Sequence, residues 1–477
     1  MKFTLYWDNL SINGFIVTMT MWTPDLAAYS GPLYLRLANA IEHAIGQGEL
    51  AGGSRLPTQR ALADRLGVTV GTITRAYAEA ERRGWLTARV GDGTWVRSEE
   101  EATASDWPLR EEQDGRIELW QNLPVPLDRA AKVGPLLQQI ERDGSLNRLL
   151  GYDNEAGRPE QRDVFLQWLG SHGIAATHDR FLFSNGAQHG ILLTLLATGC
   201  VGEHIACESL SYPGLLGAAR QLRCQVSAVA MDDEGMRPDA LEALCRQRRP
   251  RLIYLTPTLQ NPTTAIMGEA RRRELLAVCA RHEVWVVEDD VNGLLPATRF
   301  TPMVSLMPER VIHLGSLAKI ACGGLRLGFL LCPTSLRPAL GQAMRLSSWM
   351  VSPLLVELAA RLVQQGQLTA LLEEQRQALA RRGELLAHLL PQARWQPGAM
   401  HAWLALPAPW RCSEFVMAAD RMGVGVTSGE LFAASQQATV QAVRLSISQP
   451  ASDARLGEGL ARLKALLASL PPSQLLL

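Results

Sequence analysis

Lysine is scarce in this chain: Lys2, Lys132, Lys319 and Lys464 are the only four among 47 basic residues. A guanidinium stays protonated and does not condense with an aldehyde, so a lysine kept at a strand end is informative. Lys319 stands in GSLAKIACGGLRLGFL (315–330), just after the strand-like run RVIHLGS. Its amine there can bind an aldehyde cofactor covalently, which makes it the candidate catalytic residue. The neighbours suit a phosphorylated cofactor: Ser316 and Arg326, at −3 and +7, offer a hydroxyl and a forked guanidinium. FLFSNGAQHGILLTLLA (181–197) reads as a strand, then Gly186, Ala187 and Gln188, then a helix whose first amides face an anion. Asp289 closes the run VWVVEDD and can keep a pyridine nitrogen protonated, so that the ring withdraws electrons. Asn261, in YLTPTLQNPT, can hydrogen-bond a ring oxygen, and Tyr212, in CESLSYPG, can stack on a ring face. Singly, each reads as ordinary structure. Together, in this order and at strand ends, they read as a pyridoxal 5′-phosphate site.

Two kinds of element must position these groups. From about 116 to 477, short apolar runs alternate with helical patterns. The runs are RLIYLTP (251–257), VWVVEDD (284–290), RVIHLGS (310–316) and RLGFLLC (326–332); the helical stretches include RRRELLAVCARH (271–282) and one long stretch, 354–390. That alternation predicts an α/β domain with a large, mostly parallel sheet. After 390, AMHAWLAL and AVRLSIS, with helical SEFVMAADRMG and RLGEGLARLKALLASL, predict a smaller α+β subdomain.

Residues 31–97 are a separate unit. Leu33, Leu37, Ile41 and Ile45 recur every four residues and predict a first helix. LPTQRALADRLG is a second, with Thr58 as its N-cap and Leu62, Ala63 and Leu66 inward. Gly67-Val68-Thr69 turns into a third, VGTITRAYAEAERRG, with Ile73, Ala76, Tyr77 and Ala80 inward. WLTARVGDGTWVR alternates around Gly91-Asp92-Gly93 as a hairpin. Helix, helix, short turn, helix, hairpin is a winged helix-turn-helix, whose third helix enters a DNA major groove. Nine arginines face six acidic residues over 31–97. Candidate DNA contacts are Arg55, Thr58, Arg60, Thr69, Thr72, Arg75 and Arg89, with Arg82 and Arg83 also near phosphates. The acidic, polar stretch 98–115 is a linker that DNA would repel.

The whole chain of 477 residues has 47 basic and 47 acidic side chains, so net charge names no partner. Eight cysteines, none in C-x-x-C spacing, read as core residues in a reducing cytoplasm, with neither disulfide nor metal framework. No run is long and apolar enough to predict a membrane span. The opening stretch lacks a cleavage-site pattern, and Met19 or Met21 is an alternative start.

Residues 31–470 resemble the MocR subfamily of GntR-type regulators, a winged helix-turn-helix joined to a fold-type I aminotransferase-like domain. The resemblance rests on GELAGGSRLPTQRALADRLGVTVGTITRAYAEAERRGWLTARVGDGTWV in the head. In the body it rests on GYDNEAGRPEQR, SNGAQ, YLTPTLQNPT, EDD, GSLAK, GLRLG and VRLS. It implies that Lys319 carries the cofactor, Asp289 pairs with its ring nitrogen and Asn261 binds its 3′-oxygen. Tyr212 would stack on the ring, and Ala187, Gln188, Ser316 and Arg326 would hold the phosphate. Arg444 in AVRLSIS would clamp a substrate or effector α-carboxylate, and Tyr152 in GYDNEAG would lie near the cofactor and a partner subunit. A homodimer with exchanged heads, a double-stranded DNA operator and a small amine or amino-acid effector are implied as partners. The chain departs from the pattern at Val291 and Asn292, where the family carries a tyrosine, and at Ala318, Ala187 and Thr69-Val70. The resemblance implies a regulator sensing an amine, an amino acid or the cofactor itself; the alternative is a working aminotransferase carrying a DNA-binding head.

Overall fold

The computed structural model describes residues 22–26, 29–51, 53–82, 85–89, 93–96, 115–298, 300–435 and 440–471. The linker read at 98–115 (Gly115 apart), the starts Met19 and Met21, the turn residues Gly91 and Asp92, and Arg83 fall outside them. The chain divides into two compact units, residues 1–111 and 112–477.

In the first unit the helices are Leu33–Gly46, Gln59–Leu66 and Val70–Arg82, followed by antiparallel strands Leu86–Arg89 and Gly93–Val96. Thr58 caps the second helix, its hydroxyl accepting from the Ala61 amide at 3.3 Å. Gly67 ends that helix in the left-handed conformation, φ +62°, which glycine adopts without a Cβ penalty. Leu37, Ile41, Leu62, Ala63, Ile73, Ala76, Tyr77 and Ala80 close the core, whereas Leu33, which opens the first helix, is exposed among the described residues. The Tyr77 hydroxyl donates to the Pro57 carbonyl at 2.8 Å, so the third helix and the turn before the second are joined inside that core.

The second unit is built on a seven-stranded sheet. Its spatial order is Phe181–Ser184, Gly328–Leu331, Val311–Ser316, Trp285–Asp289, Leu252–Leu255, His204–Glu208, Gln225–Val229. Neighbours are parallel except around Gly328–Leu331, which runs antiparallel to both. Only residues 317–327 separate that strand from the one before it, too short a connection for a helical crossover. A smaller sheet sets Ala442–Ser446 between His401–Ala405 and Thr427–Ser428. The short strand Ile117–Glu118 runs parallel to Val424–Gly425 beside it. The single long helix expected over 354–390 is two, Pro353–Gln364 and Gln367–Leu389; Gly366 at φ +70° breaks the run. No helix among the described residues is long and apolar enough to cross a membrane.

Candidate cofactor site and DNA-reading helix

Parallel strands end on one edge of a sheet, and loops leaving that edge converge. Asp289 is the last residue of Trp285–Asp289, and Ser316 the last of Val311–Ser316, with Lys319 three residues on. Gly186 follows Phe181–Ser184, Tyr212 follows His204–Glu208, and Asn261 follows Leu252–Leu255.

Gly186, at φ +81°, precedes the helix Ala187–Ala197, whose open amides include those of Ala187 and Gln188. A Cβ on Gly186 would come within 2.9 Å of Arg326 Nη2, so the guanidinium lies directly against this turn. Gln188 donates to the Gly214 carbonyl at 2.9 Å, while its buried Oε1 has no hydrogen-bond partner. The Ser316 hydroxyl accepts from the Ala318 amide at 3.1 Å, shaping the turn that carries Lys319. A helix N-terminus, an arginine and a hydroxyl together fit a phosphate.

The Lys319 amine donates to the backbone carbonyl of Asn122. Burial, then the charge of Arg444, lower its pKa from 10.5 to about 8, against the opposing pull of Asp289. Asp289 is buried, accepts from the Tyr254 hydroxyl and the Val291 amide, and is raised from the ordinary carboxylate value, chiefly by burial. A cation opposite it, such as a protonated ring nitrogen, offsets that desolvation. Burial and Asp289 raise the Tyr212 phenol, which also feels Arg444 and Arg326. Arg444 is buried at the centre of the small sheet, donating to Asn261 Oδ1 at 2.9 Å and to the Trp120 carbonyl. Its guanidinium carbon lies 4.9 Å from the Phe432 ring centroid, its Nε has no partner, and burial lowers its pKa to about 9.

The fold therefore groups Lys319, Asp289, Asn261, Tyr212, Arg326 and Arg444, with Ala187, Gln188 and Ser316 at the phosphate-like cradle. The residues fit pyridoxal phosphate: a helix-terminus cradle, an amine, a buried carboxylate and a buried arginine share one site. Tyr152 is not brought in. It is 86% exposed, its ring 6.4 Å from that of Trp349, itself 57% exposed. Sequence reasoning missed Tyr254, Trp120, Asn122 and His401. Tyr254 was detectable: it pairs with Val287, two residues before Asp289, so both side chains share a face. Replacing Tyr254 by phenylalanine leaves Asp289 short of a buried donor, a loss of about 1–3 kcal/mol. Equilibrium titration of the cofactor's visible band should show affinity reduced by roughly 5–150-fold.

On the head, Arg60, Thr69 and Arg75 are exposed, with Thr72 half-buried. Thr69 accepts from the Thr72 amide at 3.3 Å, and the two hydroxyls are 3.0 Å apart. Exposed Val70 and Thr74 stand on the same helix, and the Thr74 hydroxyl donates to Gln59 Oε1 at 2.7 Å, tying the two helices together. Two candidates have structural work already. The Thr58 hydroxyl is engaged as the cap, and the Arg55 guanidinium lies 6.0 Å from the Trp95 ring centroid and against Gly93. Arg89 ends the first wing strand; the side chains of Arg82 and Arg89 lie outside the description.

Residues 121–463 match the family model "Aminotransferase class I and II", and residues 33–96 match "Bacterial regulatory proteins, gntR family". The chain is 31% identical over 464 residues to the HTH-type transcriptional regulator YdeF of Bacillus subtilis, covering 96% of this chain and 99% of that protein. It is 26% identical over 387 residues to the probable rhizopine catabolism regulatory protein MocR of Rhizobium meliloti, covering 75% and 77%. Among solved structures it is similar to LysN, the alpha-aminoadipate aminotransferase of Thermus thermophilus. That match has a TM-score of 0.69 and 25% identity, covering 78% of this chain and 97% of the other.

Proposed function

We propose, from the premise that this chain belongs to the MocR-like GntR-type transcription regulators with an aminotransferase class I and II body, that it binds pyridoxal phosphate at Lys319 and changes its grip on an operator when an amino acid or amine enters that site. One observation carries this reading: half-buried Lys319 is grouped with buried Asp289 and Arg444 in a chain whose other unit is a winged helix-turn-helix.

The cofactor, when bound, supplies an aldehyde for covalent capture of an amine and a ring that withdraws electrons. The chain's residues do the rest. Arg326, Ser316 and the amides opening Ala187–Ala197 hold the phosphate. Asp289, held by Tyr254, keeps a proton on the ring nitrogen. Lys319, with its amine pKa near 8, keeps a usable fraction of unprotonated nucleophile at neutral pH. Arg444 binds a carboxylate in a buried setting where charge-assisted bonds are strong. The exposed Tyr152–Trp349 pair, with Leu150 and Leu346 exposed beside it in sequence, supports a second copy of the chain as partner. Two heads then read two operator half-sites.

The test is the visible spectrum of the purified protein, with and without added pyridoxal phosphate, across a panel of amino acids and amines. Operator affinity is measured in parallel, on DNA selected by the protein from a random library. A visible band, shifted by one class of compound, lost in Lys319→Ala and accompanied by a change in operator affinity, is the expected result. No band in the wild type after cofactor addition sinks the reading. A working aminotransferase carrying a DNA-binding head is the second reading, favoured by the retention of Lys319, Asp289 and Arg444. Sustained turnover between an amino donor and a keto acceptor would mark it.

A further inference from the structure

The body's chain begins, past the linker, with a segment that runs through the candidate site. Ile117 and Leu119 donate to the carbonyls of Gly423 and Gly425 at 2.9 and 2.8 Å, and the Ser446 amide donates to the Leu119 carbonyl at 2.6 Å. The next carbonyl, Trp120, accepts from the Arg444 guanidinium and from the Thr427 hydroxyl, the latter at 2.7 Å. Two residues on, the Asn122 carbonyl accepts from the Lys319 amine. The amides of Trp120 and Gln121 both donate to Gln449 Oε1, at 3.1 and 2.8 Å. Asn122 Nδ2 lies 2.8 Å from His401 Nδ1, while His401 Nε2 lies 3.2 Å from the Gln260 carbonyl. One neutral tautomer of His401 satisfies both contacts: Nε2–H donates to the carbonyl and Nδ1 accepts from the amide.

Two carbonyls of one short segment thus hold the two cationic groups that a bound amino acid would engage. A carboxylate arriving at Arg444 competes with the Trp120 carbonyl for Nη2. An amine of Lys319 that is covalently engaged no longer offers Asn122 the same donor. The segment is also the covalent path between the two units, since the chain reaches the head only by way of Gly115 and the residues before it.

We propose that segment 117–122 is the transmission element of the regulator: occupancy of Lys319 and Arg444 changes its hydrogen bonds, and the change passes along the chain toward the head. This rests on the sensor reading above. Its distinguishing feature is that residues outside the cofactor site, Gln449 and Thr427, set how firmly the segment is held.

The test uses the full-length protein and phosphopyridoxyl-L-leucine, a stable cofactor–amino acid conjugate that fills the cofactor site, brings a carboxylate to Arg444 and leaves Lys319 uncoupled. Hydrogen exchange is followed at peptides covering 117–122, and operator affinity is measured in wild type, Gln449→Leu and the near-isosteric Thr427→Val. In the wild type the conjugate should change exchange at the Trp120 and Gln121 amides and shift operator affinity by about 5–150-fold, the usual span of coupling between sites. Both variants should bind the conjugate as the wild type does, while their operator shift falls to a small part of the wild-type value. Unchanged exchange at 117–122 on conjugate binding overturns the proposal, as does a full operator shift in both variants. A wild type that binds the conjugate without any operator shift sinks the sensor reading instead; the exchange data then still decide whether the segment answers the site. Thr427→Val loses one donor and little volume, so it stands as the readout if Gln449→Leu fails to fold.

Discussion

Arg444→Gln should still take up pyridoxal phosphate but should need roughly 30–5,000 times more of a carboxylate-bearing effector to shift its spectrum or its operator affinity. The range follows from about 2–5 kcal/mol for truncating one partner of a buried, hydrogen-bonded charge pair. Glutamine keeps a donor for Asn261 Oδ1 or the Trp120 carbonyl, the two contacts Arg444 makes now, so the small sheet should hold. An amine without a carboxylate should be affected far less, which separates lost recognition from a damaged site. A second signature comes from charge. Burial and then Arg444 lower the Lys319 amine to about 8, so about a tenth of it is unprotonated at pH 7, against roughly one part in 3,000 at the ordinary 10.5. Removing Arg444 moves the amine back up. The pH profile of cofactor capture should therefore shift to higher pH, and capture at pH 7 should slow. Stopped-flow absorbance across a pH series reads both; a profile that stays in place with unchanged effector affinity would count against the role of Arg444.

The candidate site was legible where its groups are side chains at strand ends. Lys319 was conspicuous because its chain is nearly free of lysine; Asp289, which alone could be a cap or a loop residue, gained its meaning from the lysine and the glycine turn that stand at neighbouring strand ends. The turn of the candidate phosphate cradle was legible in Gly186, whose positive φ only glycine tolerates easily. Trp120 and Asn122 were not legible. They act through backbone carbonyls, which every residue carries, and they meet Arg444 and Lys319 across separations of 324 and 197 residues. The antiparallel strand Gly328–Leu331 hid for a different reason: an apolar run shows that a strand is buried, not which way it points. Gly366 split a stretch that the sequence reads as one helix, because apolar residues at helical spacing, Leu358 and Leu362 before it and Leu368, Leu371 and Leu372 after it, run on both sides of the polar break. Tyr152 marks another limit. One chain leaves it on the surface, and no pattern within that chain says what covers it.

Arg272→Met should destabilise the body by about 3–5 kcal/mol, the cost of breaking a buried ion pair from one side. That is a large share of the roughly 5–15 kcal/mol that holds a folded domain. Arg272 is fully buried. It donates to the carbonyls of Met267, Thr301 and Pro257 at 3.1, 3.2 and 3.2 Å, and to Thr258 Oγ1 at 2.9 Å, and it pairs with Glu288 at 3.4 Å. It thus ties the loop leading to Asn261 to the strand that ends in Asp289. The neighbouring Arg273, paired with Glu269 on the surface, is the control. Both partners there are at least half exposed, and Arg273→Ala should cost no more than about 0.5 kcal/mol. Glu288 supplies a test by acid. Burial pushes it up, but His313, with Nδ1 at 2.9 Å, and Arg272 outweigh that and hold it below its ordinary 4.5. A depressed carboxylate stabilises the fold above its unfolded-state pKa, and the contribution is lost as pH falls through the lowered value. Without Arg272 burial is less opposed, the Glu288 pKa rises, and the loss begins at higher pH. Acid unfolding followed by circular dichroism should therefore start at a higher pH in Arg272→Met than in wild type, with Arg273→Ala tracking the wild type. Coincident acid curves for all three proteins would show that the buried network does not hold the strand end that presents Asp289.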